Sequence, residues 1–219
     1  TNNMKLSGWG VVQYPGVKKS INSDIKNIGF LLSRSGLVPA SVDLDRLLKL
    51  GQAQLHEETD YLLEATILNQ FSELLRTETH FEIPQVYNEL TTEDTLAMEF
   101  KDGVTIEKAE NFSVDTRNRI IESLIALVLK ELFEFRIMQT DPNYANFLFD
   151  ESSQKVILLD FGATAKISQE TKAKFLSLLQ STKGGNKVAI KQSLLAIGLL
   201  ENTIPDTLMN KVLEIFADL

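Results

Sequence analysis

The stretch Met138-Gln139-Thr140-Asp141-Pro142-Asn143-Tyr144-Ala145-Asn146-Phe147-Leu148, followed by Leu158-Leu159-Asp160-Phe161-Gly162, decides how the chain is read. An aspartate is followed by an asparagine five positions on, and an Asp-Phe-Gly then closes a short apolar run. This is the layout of a phosphoryl-transfer site. The charge on a triphosphate is neutralised by Mg²⁺, which takes one or two protein oxygens and completes its octahedron with phosphates and water. Asn146 and Asp160 can supply those oxygens, which leaves Asp141 to orient or deprotonate an attacking hydroxyl. Asp-Phe-Gly alone carries little weight, because in a chain this long it arises by chance roughly one time in forty. Asp141-Pro142-Asn143 alone would be a helix-ending turn. The weight rests on the order: apolar helix, loop with Asp and Asn, strand, Asp-Phe-Gly.

Outward from this stretch, helical periodicity predicts a helix from Asp115 to about residue 137, with Ile120, Leu124, Leu127, Val128 and Leu132 on its buried stripe. Residues 155–159 read as the strand that delivers Asp160, and residues 169–183, 187–200 and 204–218 as three amphipathic helices. Upstream, residues 81–87 and 95–100 read as two strands, the second ending in Lys101-Asp102-Gly103. Asp43 is expected to cap one long helix to about residue 75, with Leu62, Leu63, Leu68 and Phe71 on its apolar stripe and Glu57, Glu58, Asp60 and Glu64 on the other face. A further helix is expected over residues 17–33, after β-prone Val11-Val12-Gln13-Tyr14 and a Pro15-Gly16 turn. Residues 1–10 read as a frayed start.

Composition narrows the function classes. The chain has 219 residues, a net charge of −8 and a sequence pI near 4.9, which argues against a broad basic surface for nucleic acid. It has no cysteine, so disulfides and thiolate metal sites are excluded. His56 and His80 have no partner at metal-ligand spacing, and Lys183, Lys187 and Lys191 read as surface charge. No apolar run reaches the length of a membrane span, since residues 120–135 are interrupted by Glu122, Lys130, Glu131 and Glu134. No signal-peptide pattern is visible.

Four stretches together resemble a known family. They are Val12-Gln13-Tyr14-Pro15-Gly16-Val17 with Ser20-Ile21-Asn22-Ser23-Asp24, then Glu58-Thr59-Asp60-Tyr61 with Glu64-Ala65, then residues 138–147, then residues 158–163. The sequence resembles the UbiB family of atypical, protein-kinase-like proteins, in particular its eukaryotic ubiquinone (coenzyme Q) biosynthesis branch. Gln139-Thr140-Asp141, where ordinary kinases carry His-Arg-Asp, points to that branch. The resemblance implies an α+β, protein-kinase-like two-lobed fold: a partial sheet lobe with added helices over residues 1–100, and a helical lobe over residues 101–219. It implies Asp141 as the catalytic-loop aspartate, Asn146 and Asp160 as Mg²⁺ ligands, and Glu64 as the helix glutamate that pairs with a nucleotide-binding lysine. It makes Glu58 and Asp60 the Glu-x-Asp pair that meets a lysine from an N-terminal extension. Without it, Glu58, Asp60 and Glu64 would be a solvated helix face.

The resemblance further implies ATP and Mg²⁺ as cofactors and a kinase or ATPase activity that supports ubiquinone biosynthesis. The implied partners are the nucleotide, a lipid or quinone-precursor ligand, and ubiquinone-biosynthesis proteins. The implied location is the matrix side of the mitochondrial inner membrane, with peripheral membrane association. Three departures stand out. The family's nucleotide-binding lysine falls at Val11, and neither the alanine-rich nucleotide loop nor the Lys-x-Gly-Gln extension is found. The expected reason is an N-terminally incomplete chain; the alternative is a pseudokinase or nucleotide-gated scaffold. A small-molecule phosphotransferase shares the Asp-x₄-Asn layout, but Glu-Thr-Asp-Tyr and Gln-Tyr-Pro-Gly argue against it.

Overall fold

The computed structural model describes residues 8–13, 16–35, 43–140, 143–201 and 203–217, without the side chains of Trp9, Val11, Lys18, Lys19, Gln54, Glu57 and Glu58. Packing divides the chain into two compact units, one of Thr1–Ala126 with Gln139–Thr164, the other of Leu127–Met138 with Ala165–Leu219.

In the first unit, strand β1 (Gly8–Val12) pairs antiparallel with β3 (Thr95–Glu99), in a register that sets Val11 opposite Leu96. The β-prone reading of Val11 and Val12 holds, and the strand begins earlier, inside the stretch expected to fray. Helix α1 (Val17–Ser35) forms where the apolar spacing places it, with Ile21 buried.

The long helix expected over residues 43–75 is two helices, α2 (Leu44–Glu58) and α3 (Tyr61–Leu74). Asp43 does cap α2, accepting the Arg46 N–H at 3.0 Å. The break falls at Thr59-Asp60. Asp60 leaves helical geometry (φ −94°, ψ 80°) and its carboxylate accepts the Leu63 N–H at 3.1 Å, so it starts a new helix rather than continuing the old one. Aspartate is poor inside a helix and favourable as an N-cap, because its short side chain competes for backbone N–H groups. Gln13 also donates to the Thr59 carbonyl at 2.5 Å, which occupies the backbone at the break. The new start resets the helical phase. The buried face of α3 is Glu64, Ala65, Leu68 and Phe71, while Leu62 and Leu63 are exposed.

A four-stranded sheet follows in the order β2-β7-β6-β4, built from β2 (Phe81–Glu82), β4 (Val104–Thr105), β6 (Phe147–Asp150) and β7 (Lys155–Leu158). β2 runs parallel to β7; the other pairs are antiparallel. The strand expected over residues 81–87 is only two residues long, because Pro84 has no N–H to extend the ladder. Val86 instead bridges to Met98. Helix α4 (Val114–Lys130) begins one residue earlier than expected, with Ser113 accepting the Thr116 N–H at 3.1 Å as its cap. It widens into a π turn over Glu131–Phe135, and Arg136 takes the left-handed conformation (φ 57°). Strand β5 (Ile137–Gln139) therefore starts where the periodicity predicted helix, and pairs with β8 (Thr164–Lys166). Ile120, Leu127 and Leu132 are buried as expected, but Val128 is exposed.

The second unit contains α5 (Gln169–Lys183), α6 (Lys187–Ile197) and α7 (Asp206–Ala217), close to the expected bounds. Leu178, Ile190, Leu194, Met209 and Leu213 form its core. Ser168 and Asn186 cap α5 and α6, and Gly198 ends α6 in the left-handed region (φ 89°) that glycine enters without steric cost. Among the described residues, no helix is long and apolar enough to cross a membrane.

Candidate active site

The site is a consequence of one hairpin. β6 and β7 pair in a register that sets Phe147 opposite Leu158 and Asp150 opposite Lys155. The turn between them is tightened by Asp150, whose carboxylate accepts from Ser152 N–H at 2.9 Å and from the Ser153 hydroxyl at 2.6 Å. Val156, Ile157 and Leu158 are almost fully buried, so the strand is covered on both faces and close packing holds it in place. The residue before β6 is then opposite the residue after β7: Leu159 N–H donates to the Asn146 carbonyl at 3.0 Å. Asn146 and Asp160, fourteen residues apart in sequence, meet directly, with Asn146 Nδ2 donating to Asp160 Oδ2 at 3.2 Å.

Asp160 is held on its other oxygen by the Gly162 N–H, 2.7 Å away. A Cβ at Gly162 would lie 3.2 Å from Asp160 Oδ1, tighter than side chains normally pack, so the third residue of Asp-Phe-Gly leaves the carboxylate room. Between them, Phe161 is fully buried and stacks on Phe71 of α3. That stack seats the buried face of α3 on the loop, and two turns before Phe71 the same face presents Glu64 to Asp160. Burial, then the Asp160 charge and a hydrogen bond with its carboxylate, push the Glu64 carboxyl up to about 8. Burial, with Glu64 and Asp160 adding to it, also raises the Tyr61 phenol.

Tyr61, Glu64, Asn146, Asp160 and Gly162 line a cavity of about 710 Å³, all of whose walls belong to the first unit. Gly103 closes one wall, where an added Cβ would lie 3.0 Å from Leu148 Cβ. Beside it Lys101, largely buried, forms ion pairs with Glu82 at 2.5 Å and Glu99 at 2.8 Å. Burial alone would lower its pKa, but the two carboxylates outweigh that and raise it.

Of the sequence-derived candidates, Glu64, Asn146 and Asp160 come together in this cavity. Asp60 is one turn from Glu64 as the cap of α3 and does not line the cavity. Asp141 and the Glu58 side chain lie outside the described residues. The sequence marked Gln139 only as part of a family triplet and Lys101 only as part of a turn; both line the cavity. Their signal was position alone, Gln139 two residues before Asp141 and Lys101 just after a strand. Among the described residues, no three His, Cys, Asp or Glu side chains are grouped to hold a metal by themselves. Asn146 and Asp160 both line the cavity, and a carboxylate with an amide is a donor set that fits Mg²⁺, which keeps water and substrate phosphates as its other ligands.

A family model, the ABC1 atypical kinase-like domain, matches residues 11–194. The chain belongs to the ABC1 family of atypical kinase-like domains. Rat atypical kinase COQ8B, mitochondrial, is 40% identical over 181 residues, 83% of this chain and 34% of the rat protein. Atypical kinase COQ8, mitochondrial, of Saccharomyces cerevisiae is 36% identical over 209 residues, 93% of this chain and 42% of the yeast protein. The ABC1 chain thus spans about a third to two-fifths of the length of these relatives. Among solved structures, the Mycobacterium tuberculosis protein Rv3197, determined in complex with erythromycin, superposes with a TM-score of 0.76 at 17% identity. The alignment covers 96% of this chain and 54% of that one, a likeness of fold alone. The UbiB resemblance and the α+β, kinase-like fold read from the sequence are borne out.

Proposed function

We propose that this ABC1 domain binds a Mg²⁺–nucleotide in the cavity walled by Glu64, Asn146 and Asp160, as part of an atypical kinase or ATPase that supports ubiquinone biosynthesis. The observation that carries the proposal is the hairpin register that joins Asn146 to Asp160 opposite buried Glu64. Mg²⁺, when bound, would neutralise charge on the phosphates. Asn146 and Asp160 would hold it through their oxygens, and Asp141 would orient or deprotonate the acceptor hydroxyl. Glu64 would pair with a cationic group, and Glu58 and Asp60 with a basic segment covering the site. The division into a partial sheet lobe with added helices over residues 1–100 and a helical lobe carrying the catalytic and metal-binding loops over residues 101–219 belongs to the same proposal.

The names of the COQ8 relatives support a mitochondrial protein of coenzyme Q biosynthesis. We extend that to the matrix side of the inner membrane, with peripheral membrane association, a lipid or quinone-precursor ligand and ubiquinone-biosynthesis proteins as partners.

A second reading is favoured by Val11, which stands in β1 where the resemblance expects the phosphate-binding lysine. Loss of one preorganised electrostatic stabiliser commonly costs about 10²–10³-fold in rate. The chain would then bind Mg²⁺–nucleotide with little turnover, as a pseudokinase or nucleotide-gated scaffold.

Thermal unfolding with and without Mg²⁺–ATP tests the binding claim, because a ligand of the folded state raises stability by RT ln(1 + [L]/Kd). A Mg²⁺-dependent rise in Tm that disappears in Asp160→Ala is expected. No rise in the parent chain would refute nucleotide binding here. Single-turnover ATP hydrolysis separates the two readings, and a gain in Val11→Lys would favour the pseudokinase account.

A further inference from the structure

We propose that Gln139 is a positioning residue for Asp160, setting the backbone from which that carboxylate reaches a metal ion; the inference rests on the reading of Asn146 and Asp160 as the metal pair. The half-buried Gln139 carboxamide donates from Nε2 to the Asp160 carbonyl oxygen at 2.6 Å, across twenty-one residues of sequence. The next residue repeats the link through the backbone, with Thr140 N–H donating to the Ala163 carbonyl at 2.9 Å. The segment leading into Asp141 is therefore fastened at two points to the loop that carries Asp160.

The surrounding bonds show why this one matters. The Asp160 carboxylate is oriented by Gly162 N–H and by Asn146 Nδ2, and the preceding peptide by the bond from Leu159 N–H to the Asn146 carbonyl. Three of these four contacts fix the carboxylate or the entry to the residue. The Asp160 carbonyl is the exit, and Gln139 holds it. Without that bond the peptide between Asp160 and Phe161 can rotate, and the Gly162 N–H that grips Oδ1 moves with it. A carboxamide suits the task, since it donates a neutral hydrogen bond at every pH at which the protein folds. Gln139 also lines the cavity beside Asp160, so its bond is made at the wall itself.

Partners that orient a metal-ligating side chain typically change metal affinity 10–100-fold when removed. Gln139→Met keeps the length and apolar stem of the side chain and deletes the donor. The test is Mn²⁺ binding in the presence of ATP, followed by the EPR signal of free Mn²⁺, well below the Tm of each protein. A role confined to folding would lower Tm and leave the Mn²⁺ affinity of the folded chain unchanged. The expected result is a 10–100-fold weaker Mn²⁺ affinity, with faster exchange of the Gly162 amide proton. Affinity within threefold of the parent chain, with Gly162 still protected, overturns the inference while leaving the metal site standing. A parent chain that takes up no Mn²⁺, or an Asp160→Ala chain that binds as tightly as the parent, overturns both. Should Gln139→Met fail to fold, Gln139→Asn carries the same two outcomes, because it keeps the carboxamide and withdraws it by one methylene.

Discussion

Phe71 of α3 stacks on Phe161 of the Asp-Phe-Gly loop, with ring centroids 4.2 Å apart and planes inclined by 25°. Both rings are fully buried, so the contact joins helix to loop in a dry environment. It determines where Glu64, two turns earlier on α3, meets Asp160. Phe161→Ala should destabilise the chain by about 3–5 kcal/mol, as other buried aromatic truncations do. Urea unfolding would show this as a lower midpoint at an unchanged slope. A cost under about 1 kcal/mol would mean that the helix is anchored elsewhere.

The Glu64 carboxyl offers a pH test. Its pKa is raised from about 4.5 to about 8 in the folded chain, by burial first and by Asp160 second. Between those values the folded state holds a proton that the unfolded state has lost. Stability from this group is therefore fully present below pH 4.5 and is lost as pH rises through 8. The full span is of the order of a few kcal/mol. Glu64→Gln has no such proton, so its Tm relative to the parent chain should climb steadily from pH 5 to pH 8. A difference that stays flat over that range would rule out the raised pKa.

Lys101 bridges Glu82 of β2 and Glu99 of β3, two strands in different sheets. Replacing it with methionine leaves two carboxylates, each about one-third exposed, without their shared cation. A loss of about 1–3 kcal/mol is expected, below that for a fully buried pair because solvent screens the remaining charges. Adding Glu99→Gln to Lys101→Met should recover part of the loss in a double-mutant cycle. Additive effects would show that the bridge contributes nothing.

Asp60 separates a structural role from a chemical one. Its carboxylate caps α3 through the Leu63 N–H, and Asn caps nearly as well as Asp. Asp60→Ala should cost about 1 kcal/mol, and Asp60→Asn close to nothing. If Asp60→Asn nevertheless weakens Mg²⁺–ATP binding at unchanged Tm, the negative charge itself serves the site. If both properties are unchanged, Asp60 is a cap alone.

Much of this could be read from residue order. Helices α1, α5, α6 and α7 fell close to their expected bounds because an amphipathic period is local and repeats over several turns. Helix α4 and the expected long helix were misjudged at their ends and at Thr59-Asp60. At those points apolar residues continued the period while the backbone left it. Asp60 found a capping bond, and the segment after Phe135 found a strand partner in Thr164–Lys166. β6 went unread, since Phe147-Leu148-Phe149-Asp150 was absorbed into the loop motif, although its burial alternates.

The sequence alone picked out the residues proposed to bring chemistry to the site. Asn146 and Asp160 stood out by type and spacing, because Mg²⁺ chemistry restricts the ligands that can serve. Glu64 stood out through the family pattern around Glu58-Thr59-Asp60-Tyr61. Only the tertiary structure decided which of them share a wall and in what state. The β6–β7 register closes the fourteen-residue gap between Asn146 and Asp160, and the Phe71–Phe161 stack carries Glu64 to them. The raised Glu64 carboxyl, the paired Lys101 and the bond from Gln139 to the Asp160 carbonyl are properties of proximity and burial. They depend on distances and desolvation between segments far apart in the chain, which no local pattern encodes.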